Sequence, residues 1–370
     1  MTPYLLIGLG LISLVSLPVL KRINLRLAIP AAILIRILLF FTTPELSEDP
    51  YRYLWDGEQL AKGRSPYQVA PAQIGEKREF YSRIRGQTRP SIYFPLAQLL
   101  FLLAYLIQPS GLLGLKFLIL ISDLITIILM IRFLPDHLGH YLISPLVLIE
   151  SHLGLHLDTF LIPLSLGFIV MEGRRPLLAS LLLTASILIR PTLLPILPIF
   201  LLRKRDRKTL LPLLLLLGMI PYFHHPPSAF IAYLRHWEFN GSSYYLMKIL
   251  VGHSLHARII SYLLYLLIYP IIIDRDDAYP LALGLFFLLS PTVYPWYLLP
   301  LLIFSLRYET PLLLLCYGSL LSYAVLIPYW TSGRWEENWV IILLEYLPVY
   351  LLMIRHFSLI QRLSPLIWRK

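Results

Sequence analysis

The sequence predicts an all-α, polytopic membrane protein, and three observations carry that prediction. Hydrophobic residues make up 57% of the chain and charged residues only 14%, whereas a soluble domain usually carries about a quarter charged residues. Apolar runs such as LLIGLGLISLVSLPVL, LAIPAAILIRILLFF, LLPLLLLLGMIPYF and PLLLLCYGSLLSYAVLI recur along the whole length, and each approaches the roughly 20 residues that cross a ~30 Å hydrocarbon core as a helix. Basic residues gather in short stretches between those runs, KRINLR, EGRRP, RKRDRK and the RHFSLIQR tail, which is the pattern of cytoplasmic loops. The net charge of +11 is thus a topology signal and does not point to nucleic acid. Cys316, the only cysteine, lies inside an apolar run, which excludes an intrachain disulfide and a cysteine metal site.

Each element follows in chain order from these anchors. The first apolar run has no basic residue before it and Lys21, Arg22 and Arg26 after it, so it is expected to stay as a first helix and not to be cleaved as a signal. With the basic clusters inside, Met1 starts outside, two spans follow, and residues 44–92 form a first extracytoplasmic loop. Within it SEDPYRYLWDGE predicts a helix: Ser47 suits the N-cap, Glu48 and Asp49 suit the positive first turn, Pro50 is early enough to be tolerated, and Lys62-Gly63 reads as the stop. Asp49, Arg52, Tyr53 and Asp56 then share one face of a helix lying at the membrane surface, with Leu54 and Trp55 turned elsewhere. That face is either turned to a substrate or simply solvated and held by salt bridges.

The run at 93–109 begins at Pro95 and is short, and the placement of Arg132 and EGRRP inside leaves no room for it to cross; it is expected to be interfacial or half-inserted. Asp123 falls within the next span and is expected to pair with another helix. Residues 177–202 have basic flanks at both ends and are too short to cross twice, which predicts a helical hairpin broken at Arg190-Pro191. Such breaks at membrane depth are tolerated when buried in protein or lining a cavity. The patches GLHLD, HHPPS to NGSSYY, PTVYPWY and YWTSGRWEENW all fall outside. The whole chain, 1–370, reads as one integral membrane domain of about 11–13 membrane segments.

Several side chains in this scheme have both a chemical and a structural reading. His152, His156 and Asp158 suit contacts to phosphate or sugar hydroxyls, or with Glu150 a divalent metal, or plain structural hydrogen bonds. Lys116 and Arg190 are charge-assisted donors for a phosphate if they reach the outer half of the bilayer; Lys116 is equally placed to snorkel. Tyr294, Trp296 and Tyr297 suit an interfacial aromatic belt or sugar stacking. Asn240 of NGSS matches a glycosylation sequon.

Taken together, DPYRYLWDGEQLAKGRSPYQVAP, SIYFPLAQ, GLHLD, LIRPTLLP and SPTVYPWYLLP, in that order over roughly residues 45–300, resemble the polytopic GT-C superfamily of glycosyltransferases, and most of all its prokaryotic mannosyltransferase-like members. Glu48 stands where close relatives often show a second aspartate, and Phe94-Pro95 where a double proline is more usual. The resemblance implies a polyprenyl-phosphate sugar donor, with mannose the expected sugar, and a lipid, glycan or protein acceptor reached from the extracytoplasmic side. It also implies that an acid of the first outer loop, here Asp49, is the catalytic base. The expected substrate-binding set is Glu48, Arg52, Tyr53, Asp56, Lys116, His152, His156, Asp158, Arg190, Tyr294 and Trp296.

This fits elementary chemistry. Transfer from a phospholipid sugar needs a base for the acceptor hydroxyl, while a phosphate leaving group mainly needs positive charge. A cofactor is not required. The expected activity is inverting hexosyl transfer in the cytoplasmic membrane, with membrane lipids and the donor as partners. The competing readings are a transporter or flippase of lipid-linked or small polar substrates, and a glycan polymerase or ligase. Transport places functional charges near the midplane of repeated halves, whereas transfer places acids in the first outer loop, as here.

Overall fold

In lipid every backbone donor and acceptor must be met within the segment, so apolar runs are restricted to helices. A computed structural model describes residues 3–20, 23–44, 46–74, 79–204, 207–219 and 228–367. Among these the chain is helical, with one isolated parallel β-bridge between Phe239 and Thr292. Lys21, Arg22, Glu45, Arg205, Asp206 and the HHPP stretch lie outside the described residues. The chain divides into two compact units: Met1–Leu20, Ser144–Leu146 and Glu238–Lys370 form one, and Lys21–Ile143 and Val147–Trp237 form the other.

Helix α1 (Pro3–Leu20) belongs to the first of these units. The second unit starts with α2 (Leu25–Phe40), capped by Asn24, whose side chain accepts from the Arg26 N–H at 3.0 Å. Its buried stripe is Ala28, Ala32 and Arg36, one helical turn apart. Helix α3 (Asp49–Ala61) carries the loop motif. The cap falls one residue later than the sequence suggests: Glu48 is the N-cap, and the Ser47 hydroxyl accepts from the Asp49 N–H at 3.2 Å. Gly63 ends the turn at φ 70°, where a side chain would be strained.

Helix α3 is not a solvated surface helix. Residues from Pro50 to Gln59 are all buried, because the rest of the loop and α4 (Pro95–Ile107) wrap it. The α3–α4 crossing depends on Gly57, where any Cβ would collide with the Phe101 backbone carbonyl. Tyr53 stacks on Phe101 of α4 with centroids 4.3 Å apart, and Tyr93 meets both rings edge-on. This aromatic group merges with Ile119, Leu157, Leu161 and Ile189 into one core cluster.

Helix α5 (Leu113–Phe133) supplies Asp123, which binds Arg36 of α2 through a buried ion pair. Tyr141 donates to the same carboxylate at 2.6 Å and His152 lies 3.0 Å from it, while Arg36 also donates to the Leu142 carbonyl at 2.9 Å. The intramembrane acid thus pairs with another helix, as its cost in lipid requires. Next come α6 (Leu161–Glu172), α7 (Pro176–Ile189) and α8 (Leu197–Arg203). Between α7 and α8 the helix is broken: Arg190 is extended (φ −155°, ψ 136°) and Pro191 opens a 3₁₀ stretch. Short apolar helices in this unit begin at Pro95, Pro176 and Pro191, where proline has no N–H to leave unsatisfied and is pre-set for a first turn.

The other unit contains α9 (Ser243–Val251), α10 (Ser254–Ile272), α11 (Ala278–Leu289), α12 (Leu299–Tyr308) and α13 (Trp339–Ile367). Asn240 sits there in left-handed backbone (φ 54°), and its side-chain amide donates to both oxygens of the buried Glu345 at 3.0 and 3.1 Å. Among the described residues four helices are long and apolar enough to cross a membrane: α5, α10, Leu313–Ser332 and the Trp339–Ser358 part of α13. The segments Pro145–Leu153 and Leu157–Glu172 would add a fifth, bent by 116°. The protein is an all-helical integral membrane protein.

Candidate active site

The bend between Leu153 and Leu157 is where the chain departs furthest from regular geometry. Leu148–Leu153 is a π-helical turn, closed by the Gly154 N–H donating to the Ile149 carbonyl at 2.7 Å. Leu155 follows in left-handed backbone (φ 52°), which costs a non-glycine residue about 1–2 kcal/mol. The His156 ring lies against Gly154, where a Cβ would strike its Cδ2 and Nε2 atoms. Then Leu157–Phe160 forms a 3₁₀ turn that places Asp158. Strain of this kind persists only where the surroundings fix it.

These turns bring polar side chains to the N-terminus of α3. His156 Nδ1 is 3.8 Å from Asp49 Oδ2, and His156 Nε2 is 3.5 Å from Glu150 Oε2. Arg190, presented by the break after α7, forms an ion pair with Asp158 at 2.8 Å. Its charge also reaches Asp49, Tyr53 and Tyr93. Glu150, His156 and Asp158 are fully buried, whereas the Asp49 side chain is 30% exposed and that of Arg190 17% exposed. Asp49 and Arg190 are thus the partly exposed charged members of the cluster.

Burial raises the Asp49 carboxyl above its ordinary value; the Arg190 and Arg85 charges pull it back in part. Burial also pushes the Tyr53 and Tyr93 phenols well above theirs, so both stay protonated as hydrogen-bond donors. The result is a carboxylate whose proton affinity is higher than that of a free aspartate, in the field of the Arg190 charge.

The stripe Asp49, Arg52, Tyr53, Asp56 spans about 10 Å along the helix axis, and its two ends meet different neighbours. Asp49 and Tyr53 face the cluster. Arg52 pairs with Asp56 at 2.8 Å and donates to the Arg89 carbonyl at 3.0 Å. Asp56 in turn accepts from Ser91 and, at 2.9 Å, from Gln98, so this pair fastens the loop to α3 and α4. Glu48 holds Arg85 at 2.7 Å on an exposed edge. The Lys116 ammonium donates to the Phe40 carbonyl at 2.7 Å and to that of Thr42, at the end of α2. His152 lies with Asp123 and Arg36. Tyr294 and Trp296 stack at 4.3 Å in the other unit, continuous with Phe239.

Of the expected set, then, Asp49, Tyr53, His156, Asp158 and Arg190 come together. The sequence did not single out Tyr93, although SIYFP adjoins the loop, and it offered Glu150 only as a metal ligand. Among the described residues no three His, Cys, Asp or Glu side chains converge as a metal site would need.

No curated protein and no solved structure matches the chain. A family model described as alpha-(1->6)-mannopyranosyltransferase, N-terminal domain, matches residues 4–204, a stretch that contains every member of the Asp49 cluster. That match covers more than half of the chain's 370 residues, and the chain belongs to this GT-C type family of mannosyltransferases.

Proposed function

We propose that the protein transfers mannose from a polyprenyl-phosphate donor to a hydroxyl acceptor on the extracytoplasmic side of the membrane, with inversion at the anomeric carbon. The observation that carries this reading is that Asp49 is the partly exposed carboxylate of the cluster and Arg190 its partly exposed cation. The acceptor hydroxyl gives its proton to Asp49 while its oxygen bonds to the anomeric carbon. The bond from that carbon to the phosphate oxygen breaks on the opposite face, and one displacement inverts the centre. The phosphate leaves with its electron pair and needs no proton, only positive charge, which Arg190 supplies. Asp158 holds the Arg190 guanidinium through their ion pair.

The test is incubation of the purified protein with radiolabelled polyprenyl-phosphate mannose and, separately, with a nucleotide-activated mannose. Labelled product from the lipid donor alone, of anomeric configuration opposite to that donor, supports the reading. Transfer from the nucleotide sugar alone, or retention of configuration, overturns it.

A further inference from the structure

The segment Leu148–Asp158 combines a π-helical turn, a left-handed leucine and a glycine that leaves room for a ring. Each of these is unfavourable or rare by itself, and π-turns cluster at functional sites. Their joint product is one imidazole between two carboxylates. Its Nδ1 faces Asp49 Oδ2 at 3.8 Å and its Nε2 faces Glu150 Oε2 at 3.5 Å. Glu150 and His156 are completely shielded from solvent, while Asp49 is not. A neutral imidazole carries a donor on one nitrogen and an acceptor on the other, so a ring in this position can accept a proton on one side and release one on the other.

We propose that His156 and Glu150 form a proton relay behind Asp49, with both acting as positioning residues through that carboxylate. The inference rests on the reading of Asp49 as base. In the starting state His156 carries its proton on Nε2. As the acceptor O–H bond breaks, its proton goes to an Asp49 oxygen, the Asp49 proton moves to His156 Nδ1, and the Nε2 proton moves to Glu150 Oε2. The new sugar–oxygen bond forms and the sugar–phosphate bond breaks in the same event. One proton has left the acceptor and one has arrived on Glu150, and the imidazole has changed tautomer. After product leaves, the proton returns by the same path to Asp49 and solvent. Both gaps must shorten by about half an ångström or more to reach hydrogen-bond length; catalytic hydrogen bonds commonly tighten in this way when substrate binds.

The relay predicts more than one proton in flight, which is tested by single-turnover transfer rates in H₂O/D₂O mixtures. The wild-type protein is expected to give a bowed dependence on deuterium fraction. Glu150→Gln keeps the shape but cannot take the proton; it should give a linear dependence, a rate lower by roughly 10-fold and an unchanged KM for donor. A linear dependence in the wild-type protein overturns the relay without any variant. So does a Glu150→Gln protein with wild-type rate and curvature. His156→Gln is the second variant, expected to behave like Glu150→Gln. If Asp49→Asn itself turns over normally, the base reading has failed. If Asp49→Asn is slow while the wild-type dependence is linear, only the relay has.

Discussion

In the proposed reaction Asp49 is the residue on which the chemistry turns. Asp49→Asn keeps shape and hydrogen bonding but cannot accept a proton, so turnover should fall by roughly 10² to 10⁴ with donor affinity little changed; a titration of rate against donor separates the two. Because burial raises its carboxyl, the rate should be lost, as pH falls, at a higher pH than a free aspartate would give. Arg85 lowers that affinity for the proton and neutralises Glu48, which raises it. Arg85→Ala should therefore move the acid limb of the rate profile further up, an outcome read directly from a pH series. Arg190→Ala should raise the donor KM, and Arg190→Lys should recover only part, since an ammonium lacks the planar fork. Asp49 and Arg190 were legible in the sequence because each is marked locally, one by a helix start and the other by a proline break between apolar runs. Glu150 was legible only as a metal ligand, because it meets His156, six residues on, only through the π-turn that contains it and the left-handed leucine that follows. Arg52 and Asp56 show the converse: periodicity gave their face correctly but not the neighbour that fills it.

Among the elements, α3 and α4 are held at a distance that glycine alone permits. Gly57→Leu would drive a side chain into the Phe101 carbonyl and should destabilise the protein by about 1–3 kcal/mol, seen as a lower thermal midpoint in detergent. The pairing of α2 with α5 through Arg36 and Asp123 is a separate support. Arg36→Met leaves a buried carboxylate without its ion partner and should cost about 3–5 kcal/mol, and adding Asp123→Leu should restore part of it. The helical class, the α3 stop at Gly63 and the break at Arg190 could be read from caps, prolines and apolar periodicity. The burial of α3 could not, since it follows from how the loop folds back over it, and loop paths leave no period in a sequence.

For the molecule as a whole, the composition alone identified a membrane protein, and the family match establishes mannosyl transfer over transport. The proposed sidedness rests on where the basic clusters lie. A cysteine placed at the exposed Ser82 should react with an impermeant thiol reagent from outside the cell, and one at Gly173, beside Arg174 and Arg175, should not. Cys316 is buried and gives no background. The opposite labelling pattern would put the Asp49 cluster on the cytoplasmic side. A last consequence comes from Asn240, whose amide is clasped by Glu345 in the finished fold. A sugar chain can be attached there only before that clasp closes, and the two residues are 105 positions apart. At ordinary synthesis rates this leaves an interval of about 5–20 seconds. In a host that glycosylates, the fraction of chains carrying a glycan at Asn240 thus becomes a clock for how late the C-terminal helix docks, and slower translation should raise it.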